Sequence, residues 1–281
     1  MSTSLPEAGQ RTHTASVIDT AREQGRAAFI GYLPAGFPSV DTAVEAAKAV
    51  ADGGADIIEL GLPYSDPSLD GPVIQDATAT ALAAGIRTRD VLASVERITR
   101  YAPHVAVVVM TYWNPVLRYG PDRFARDLAA AGGAGLITPD ITPDYGQEWI
   151  DAADAHGLDK VFLVAPSSTP QRLTMTVQAC RGFVYAASLM GVTGERAAVD
   201  SAARDLVQRV RVAATDHGGE PRVCVGLGVS TPAQAREVAG YADGVIVGSA
   251  LVRALGQGGV DAVRRTTEDL VQGVRAGRQA G

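Results

Sequence analysis

Two acids eleven residues apart, Glu59 and Asp70, stand in the stretch that most invites chemistry: Glu59-Leu-Gly-Leu-Pro63-Tyr-Ser-Asp66-Pro-Ser-Leu-Asp70-Gly-Pro72. Glu59 lies in a β-branched run beginning at Asp56, on the same side-chain parity as Ile57, so a strand that points Ile57 into a barrel also points Glu59 inward, near the mouth. Burying such a carboxyl is costly without a partner or a task. It is either an ion-paired structural acid or a general acid/base, and its position alone leaves both open. Asp66 and Asp70 follow in a loop punctuated by Pro63, Pro67, Gly71 and Pro72, stiffer than a solvated connection requires. A second group, Phe183-Val-Tyr185-Ala-Ala-Ser-Leu-Met-Gly191-Val-Thr193-Gly194, carries Tyr185 on the parity of Phe183. There it either fills the core with its hydroxyl satisfied or reaches across towards Glu59. The third group is a set of glycine-bearing turns: Gly191 to Gly194, Gly226-Leu-Gly228-Val-Ser230, and Gly248-Ser249. Each alone reflects the ordinary use of glycine at strand-to-helix turns. Together, with a helix starting at Ser249, their backbone N–H groups suit a phosphate that needs no lysine.

The elements that must hold these groups read as short β-branched runs alternating with longer helical stretches, the pattern of parallel βα units. Strands are expected at Ala27 to Leu33, Asp56 to Gly61, Val105 to Tyr112, Gly135 to Asp140, Lys160 to Pro166, Phe183 to Ser188, Arg222 to Gly228 and Gly244 to Gly248. Helices are expected at Val40 to Asp52, Thr88 to Thr99, Pro121 to Ala131, Pro143 to Ala155, Pro170 to Ala179, Ser201 to Thr215 and Thr231 to Val238. Several open with Pro, Ser, Thr or Asp in capping positions. Parallel strands in this number, joined by right-handed crossovers, close into a (β/α)8 barrel, an α/β fold without edge strands. An open doubly wound sheet is the alternative, but no G-x-G-x-x-G follows the first strand and no second domain is apparent. Ser16 to Gln24 reads as an extra helix plugging the barrel's bottom. The chain therefore divides into a flexible N-terminus over 1–14, a barrel over 15–272 and a frayed tail over 273–281. Reactive groups of such barrels gather at the carboxyl ends of the strands, where Glu59, Tyr185 and the glycine turns fall.

Composition removes several alternatives. Thirty-one acidic against 25 basic residues give a net charge of −6, and no Lys/Arg cluster suited to nucleic acid or anionic membrane is visible. Cys180 and Cys224 are far apart without metal spacing and read as buried thiols. His13, His104, His156 and His217 fall away from strand tops, so neither a zinc set nor a Ser/His/Asp relay is expected. The polar segment Met1 to Thr14 lacks the apolar core of a secretory signal, and Val105 to Met110 is far short of a membrane span, which makes the cytoplasm the expected location.

At Glu59-Leu-Gly-Leu-Pro-Tyr-Ser-Asp-Pro with Asp70-Gly-Pro-Val-Ile-Gln75 the sequence resembles the signature of the tryptophan synthase alpha-chain family. The likeness continues in order through Ile30-Gly-Tyr-Leu-Pro-Ala-Gly36-Phe-Pro38, Met110-Thr-Tyr-Trp-Asn114-Pro115, Gly182-Phe-Val-Tyr185, Gly191-Val-Thr-Gly194, Val225-Gly-Leu-Gly228-Val-Ser and Asp243-Gly-Val-Ile-Val-Gly-Ser249-Ala. It spans about Ala27 to Val252. The resemblance implies cleavage of indole-3-glycerol phosphate to indole and glyceraldehyde 3-phosphate. It implies Glu59 as general acid/base, Asp70 as the group holding the indole N–H, Tyr185 as a neighbour positioning Glu59, and phosphate binding at Gly194, Gly228, Gly248 and Ser249. It further implies a beta-subunit partner in an alpha2beta2 heterotetramer that receives the indole, and neither metal nor organic cofactor. The loops Pro63 to Gln75 and Leu189 to Asp200, with Pro63, Asp66 and Thr193, are expected to couple the two subunits. Tyr64, Leu69, the segment Pro139-Asp140-Ile-Thr142-Pro-Asp144 and Leu189-Met190 depart from the commoner family pattern, in loops that meet the partner or cover substrate. A stand-alone lyase releasing indole and a non-catalytic activator of a partner subunit are the competing readings. An isomerase-type phosphate barrel would need an acid at the top of strand one, and Gly31-Tyr-Leu-Pro offers none.

Overall fold

In a computed structural model describing residues 12–187, 196–215, 220–226 and 228–277, with only the main chain of 196–200, the β-branched runs become short strands buried on both faces. They are β1 (Ala28–Pro34), β2 (Ile57–Gly61), β3 (Ala106–Met110), β4 (Gly135–Thr138), β5 (Asp159–Val164), β6 (Val184–Ala187), β7 (Val223–Gly226) and β8 (Gly244–Val247). Each pairs in parallel with the next and β8 pairs with β1, so the expected (β/α)8 barrel is the observed fold.

Alternation along the strands separates two apolar regions. Ile30, Ile57, Val108, Ile137, Val161, Phe183, Cys224 and Ile246 fill the interior. Phe29, Ile58, Val107, Val109, Leu136 and Phe162 point outward into the layer shared with the helices. The helix Thr88–Tyr101 meets that layer with Val91, Leu92, Val95 and Ile98, the spacing of one helical face. Helix starts are marked as the sequence suggests: Ser39 accepts from the Thr42 N–H at 3.2 Å, and Thr231 forms a reciprocal cap with Gln234.

Several segments differ from expectation. Helices Pro72–Ala83 and Trp113–Tyr119 occupy stretches with no anticipated helix. Pro72 looked like loop punctuation, but at the first helical position its fixed φ and missing N–H cost nothing. The expected helix Pro143 to Ala155 is a 3-10 turn, Pro143–Tyr145, followed by the helix Gln147–Ala155. The last helix, Ser249–Arg275, passes Gln272 with Val274 buried, so residues 273–275 belong to the outer ring.

The expected plug is helix α1 (Thr14–Glu23), whose Ile18 and Ala21 join the barrel's interior residues from below. Acids at the bottom of the strands fasten this helix and the segment that joins it to β1. Asp159 accepts from the Thr14 N–H at 2.9 Å and the Thr14 hydroxyl at 2.7 Å. Asp56 takes both arms of Arg26 at 2.7 Å and the Phe29 N–H at 2.8 Å. Asp243 takes Arg22 Nε at 3.0 Å, Arg22 Nη2 at 2.8 Å and the Val223 N–H at 2.9 Å. Burial alone would raise the Asp243 carboxyl, but these hydrogen bonds and the charges of Arg22 and Arg211 hold it below the ordinary carboxylate range. Its contribution to stability is therefore present above that range and lost only as pH falls through the depressed value. Asp243→Ala should cost about 3 kcal/mol, because it leaves Arg22 half-buried with only the looser charges of Asp19 and Glu220, each 3.9 Å away. Urea unfolding measures this; a loss under about 1 kcal/mol would mean the clasp is a surface pair in effect.

Among the described residues, no helix is long and apolar enough to cross a membrane, and no group of His, Cys, Asp and Glu could hold a metal ion. Cys224 lies in the barrel interior, and burial pushes the Cys180 thiol up to about 12.

Candidate active site

The carboxyl end of the barrel treats its acids differently from the bottom. Glu59 is the central residue of β2, level with Tyr32 on β1 and Val108 on β3. Its side chain follows Ile57 into the interior and is 1% exposed. Among the described residues its Oε2 finds no hydrogen-bond partner. Burial first, and then repulsion from Asp70, push this carboxyl up to about 8. At neutral pH it therefore holds a proton that it can give away.

Asp70 arrives from the loop after β2, just before the helix Pro72–Ala83, and is half-buried. Burial pushes it up to about 6, so it remains mostly ionised at pH 7. Two carboxyls in one mouth, one protonated and one charged at the same pH, form the pairing that acid catalysis beside a developing cation requires.

Tyr185, in β6, faces inward beside the interior residues. Burial, then the charges of Glu59 and Asp70, push its phenol well above its usual value, which keeps it a neutral donor. The structure thus brings Glu59, Asp70 and Tyr185 into one mouth. It also adds Tyr32, whose phenol is raised by burial and by the charges of Asp70 and Glu59. In the sequence Tyr32 stands out only as part of a matched motif, although its parity with Ile30 at the top of β1 is a usable signal. Each tyrosine leans over a glycine of the following strand. A Cβ at Gly61 would collide with the Tyr32 hydroxyl, and one at Gly226 with that of Tyr185. These two glycines make room for the hydroxyls.

Of the expected phosphate turns, Gly228 follows β7 with φ +63°, a left-handed conformation that glycine adopts freely. Gly248 precedes Ser249, the first residue of the last helix, so that helix start opens onto the mouth beside β1. A Cβ at Gly248 would stand 3.1 Å from Tyr32 Cδ1, which places this turn against the same tyrosine. Gly194 and Thr193 lie outside the described residues. Pro63 is buried and Asp66 exposed in the loop that leads to Asp70.

Hollows of roughly 470 Å³ at the barrel's bottom and 440 Å³ beside Pro63 and Arg123 contain neither acid. Tyr32, Tyr64, Asp70, Met110 and Tyr112 line a narrower cleft over the interior. The unsatisfied, protonated Glu59 carboxyl marks where the chemistry sits.

The tryptophan synthase alpha chain family model matches residues 18–278. The tryptophan synthase alpha chain of Mycobacterium avium (strain 104) is 58% identical over 266 residues, which is 95% of this chain and 96% of that one. That of Mycobacterium bovis (strain BCG / Pasteur 1173P2) is 56% identical over 274 residues, 98% of each. A solved structure of Mycobacterium tuberculosis tryptophan synthase in space group F222 superposes with a TM-score of 0.87 at 56% identity, covering 95% of this chain and 99% of the other. The alpha chain from Legionella pneumophila subsp. pneumophila, at 28% identity, superposes with a TM-score of 0.83 over 93% and 96%.

Proposed function

Because the chain belongs to the tryptophan synthase alpha chain family, we propose that its barrel mouth is a carbon–carbon lyase that cleaves indole-3-glycerol phosphate to indole and glyceraldehyde 3-phosphate. The observation that carries the chemistry is the buried Glu59 carboxyl, pushed up to about 8 and lacking a partner for Oε2 among the described residues. It gives its proton to indole C3, which turns the ring into an electron-poor leaving group. Positive charge develops at the ring nitrogen, and the Asp70 carboxylate accepts that N–H, a bond stronger in the transition state than in the substrate. Glu59, now a carboxylate, takes the proton of the hydroxyl on the side-chain carbon bonded to C3. The carbon–oxygen double bond forms, the C3–carbon electron pair returns to the ring, and Glu59 is protonated again. Tyr185 positions Glu59 as a neutral neighbour. The backbone N–H groups at Gly228, Gly248 and Ser249, with Gly194, hold the phosphate, helped by the dipole of the helix Ser249–Arg275.

A beta subunit is the partner that fits this reading, in an alpha2beta2 assembly that takes the indole onward. Leu69, Leu117 and Tyr145 are exposed by 51%, 48% and 79% in the segments following β2, β3 and β4, on the loop to Asp70, the helix Trp113–Tyr119 and the 3-10 turn Pro143–Tyr145, apolar groups at the end of the barrel that carries Pro63 and Asp66. Both sit on the loop to Asp70, which makes them candidates for coupling the sites. The cytoplasm is the location that suits such an enzyme.

The test is steady-state indole formation from indole-3-glycerol phosphate, with and without the cognate beta chain. Stimulation by beta supports the assembly, and absence of indole even in the full complex overturns the lyase reading. The same assay predicts a bell-shaped profile of kcat/KM. Activity should rise as Asp70 loses its proton at about 6 and fall as Glu59 loses its own at about 8. A flat profile from about pH 5 to 9 would remove both assignments.

A further inference from the structure

Asp70 poses a positioning problem. An ionised carboxylate prefers water, and the residues leading to it, Ser65, Asp66, Ser68 and Leu69, are exposed. Something must keep the acid turned into the mouth. β3 ends at Met110, and its continuation is pinned to the loop: the Leu62 N–H donates to the Met110 carbonyl at 2.8 Å, and the Thr111 hydroxyl donates to the Leu62 carbonyl at 3.3 Å. Tyr112 follows directly, 7% exposed, as a post fixed by the barrel. Its phenol oxygen accepts the Leu69 N–H at 2.9 Å, so it grips the residue that precedes Asp70. Its ring lies 5.3 Å from that of Tyr64, at the start of the same loop. On the far side Gln75 Nε2 donates to the Asp70 carbonyl at 2.8 Å. The loop is wrapped around Tyr112 and closed by Gln75.

We infer that Tyr112 is a positioning residue for Asp70: its phenol oxygen, by holding the Leu69 N–H, keeps the Asp70 carboxylate aimed at the indole nitrogen. The inference rests on the role proposed above for Asp70. Without the oxygen, the Leu69 N–H turns to water, the loop relaxes outward and the carboxylate follows it. The ring itself is not required for the grip, so Tyr112→Phe keeps the contact with Tyr64 and the fold.

The experiment is a double-mutant cycle on the full chain, read as kcat and KM for indole-3-glycerol phosphate. Tyr112→Phe should lower kcat roughly five- to thirty-fold, the size of one lost hydrogen bond, with KM changed less than about twofold. A residue that only supported the fold would not separate the two constants in this way. In the Asp70→Asn background the same substitution should have no further effect on kcat. A normal kcat in Tyr112→Phe, or a full additional loss on top of Asp70→Asn, overturns the inference and leaves the lyase reading standing. Near-normal turnover in Asp70→Asn alone overturns the role of Asp70 and the inference with it.

Discussion

Glu59→Gln is expected to stop indole formation and, at the same time, to make the barrel more stable. The catalytic loss follows from the carboxyl's two tasks, giving a proton to carbon and later taking one from oxygen. Glutamine can do neither, and general acid–base catalysis of this kind is worth roughly 10²- to 10⁴-fold. Binding of glycerol 3-phosphate should survive, because the proposed phosphate site uses main-chain groups on other strands. The gain in stability follows from the carboxyl's burial. In the unfolded chain the group titrates near its ordinary value of 4.5, whereas in the folded barrel it is pushed up to about 8. The folded state binds the extra proton between those limits, so wild-type stability is whole below the lower value and declines as pH rises through the upper one. The amide carries no such pH dependence. Its advantage should be small at about pH 4 and grow to at most about 4–5 kcal/mol above pH 8. Urea unfolding of both proteins across that range measures the difference. A gap independent of pH would mean that the carboxyl is not buried in this way, and wild-type turnover in the variant would remove it from the mechanism.

Asp70→Asn should lower kcat by about 10²- to 10³-fold, the usual cost of losing one preorganised electrostatic group at a developing charge. The amide oxygen can still accept the indole N–H, so substrate binding should be weakened little. What disappears is the negative charge that favours the cationic ring over the neutral one, a difference felt in kcat. The acid-side rise of the pH profile at about 6 belongs to this carboxyl and should vanish with it, while the alkaline fall at about 8 persists. Turnover within about twofold of wild type would place the charge elsewhere.

The bottom of the barrel shows why acid content alone does not locate chemistry. Asp56, Asp159 and Asp243 are as conspicuous in the sequence as Glu59, and all three sit at strand beginnings. Their oxygens are occupied by α1, by arginines or by backbone N–H groups, so they serve as fasteners. Conservative changes there should move stability and leave the active fraction's turnover alone, the reverse of what Glu59 should show.

Alternation at period two and β-branched runs are local properties, and so the strands, their closure and the inward parity of Glu59 and Tyr185 were determined by the sequence by itself. The matched segments around Glu59, Asp70 and the glycine turns likewise carried the family. The helix Pro72–Ala83 was hidden because its proline and flanking glycine look the same whether they end a loop or begin a helix. Only the tertiary structure decided which acids are satisfied. The arginine that holds Asp243 lies 221 residues away in the chain, and Tyr112 meets Leu69 across 43. Nor could spacing show that Gly61 and Gly226 leave room for two tyrosine hydroxyls, because each contact joins neighbouring strands that are distant in sequence. A carboxyl's proton affinity is set by the dielectric and the partners around it, and those are supplied by whatever the fold brings near.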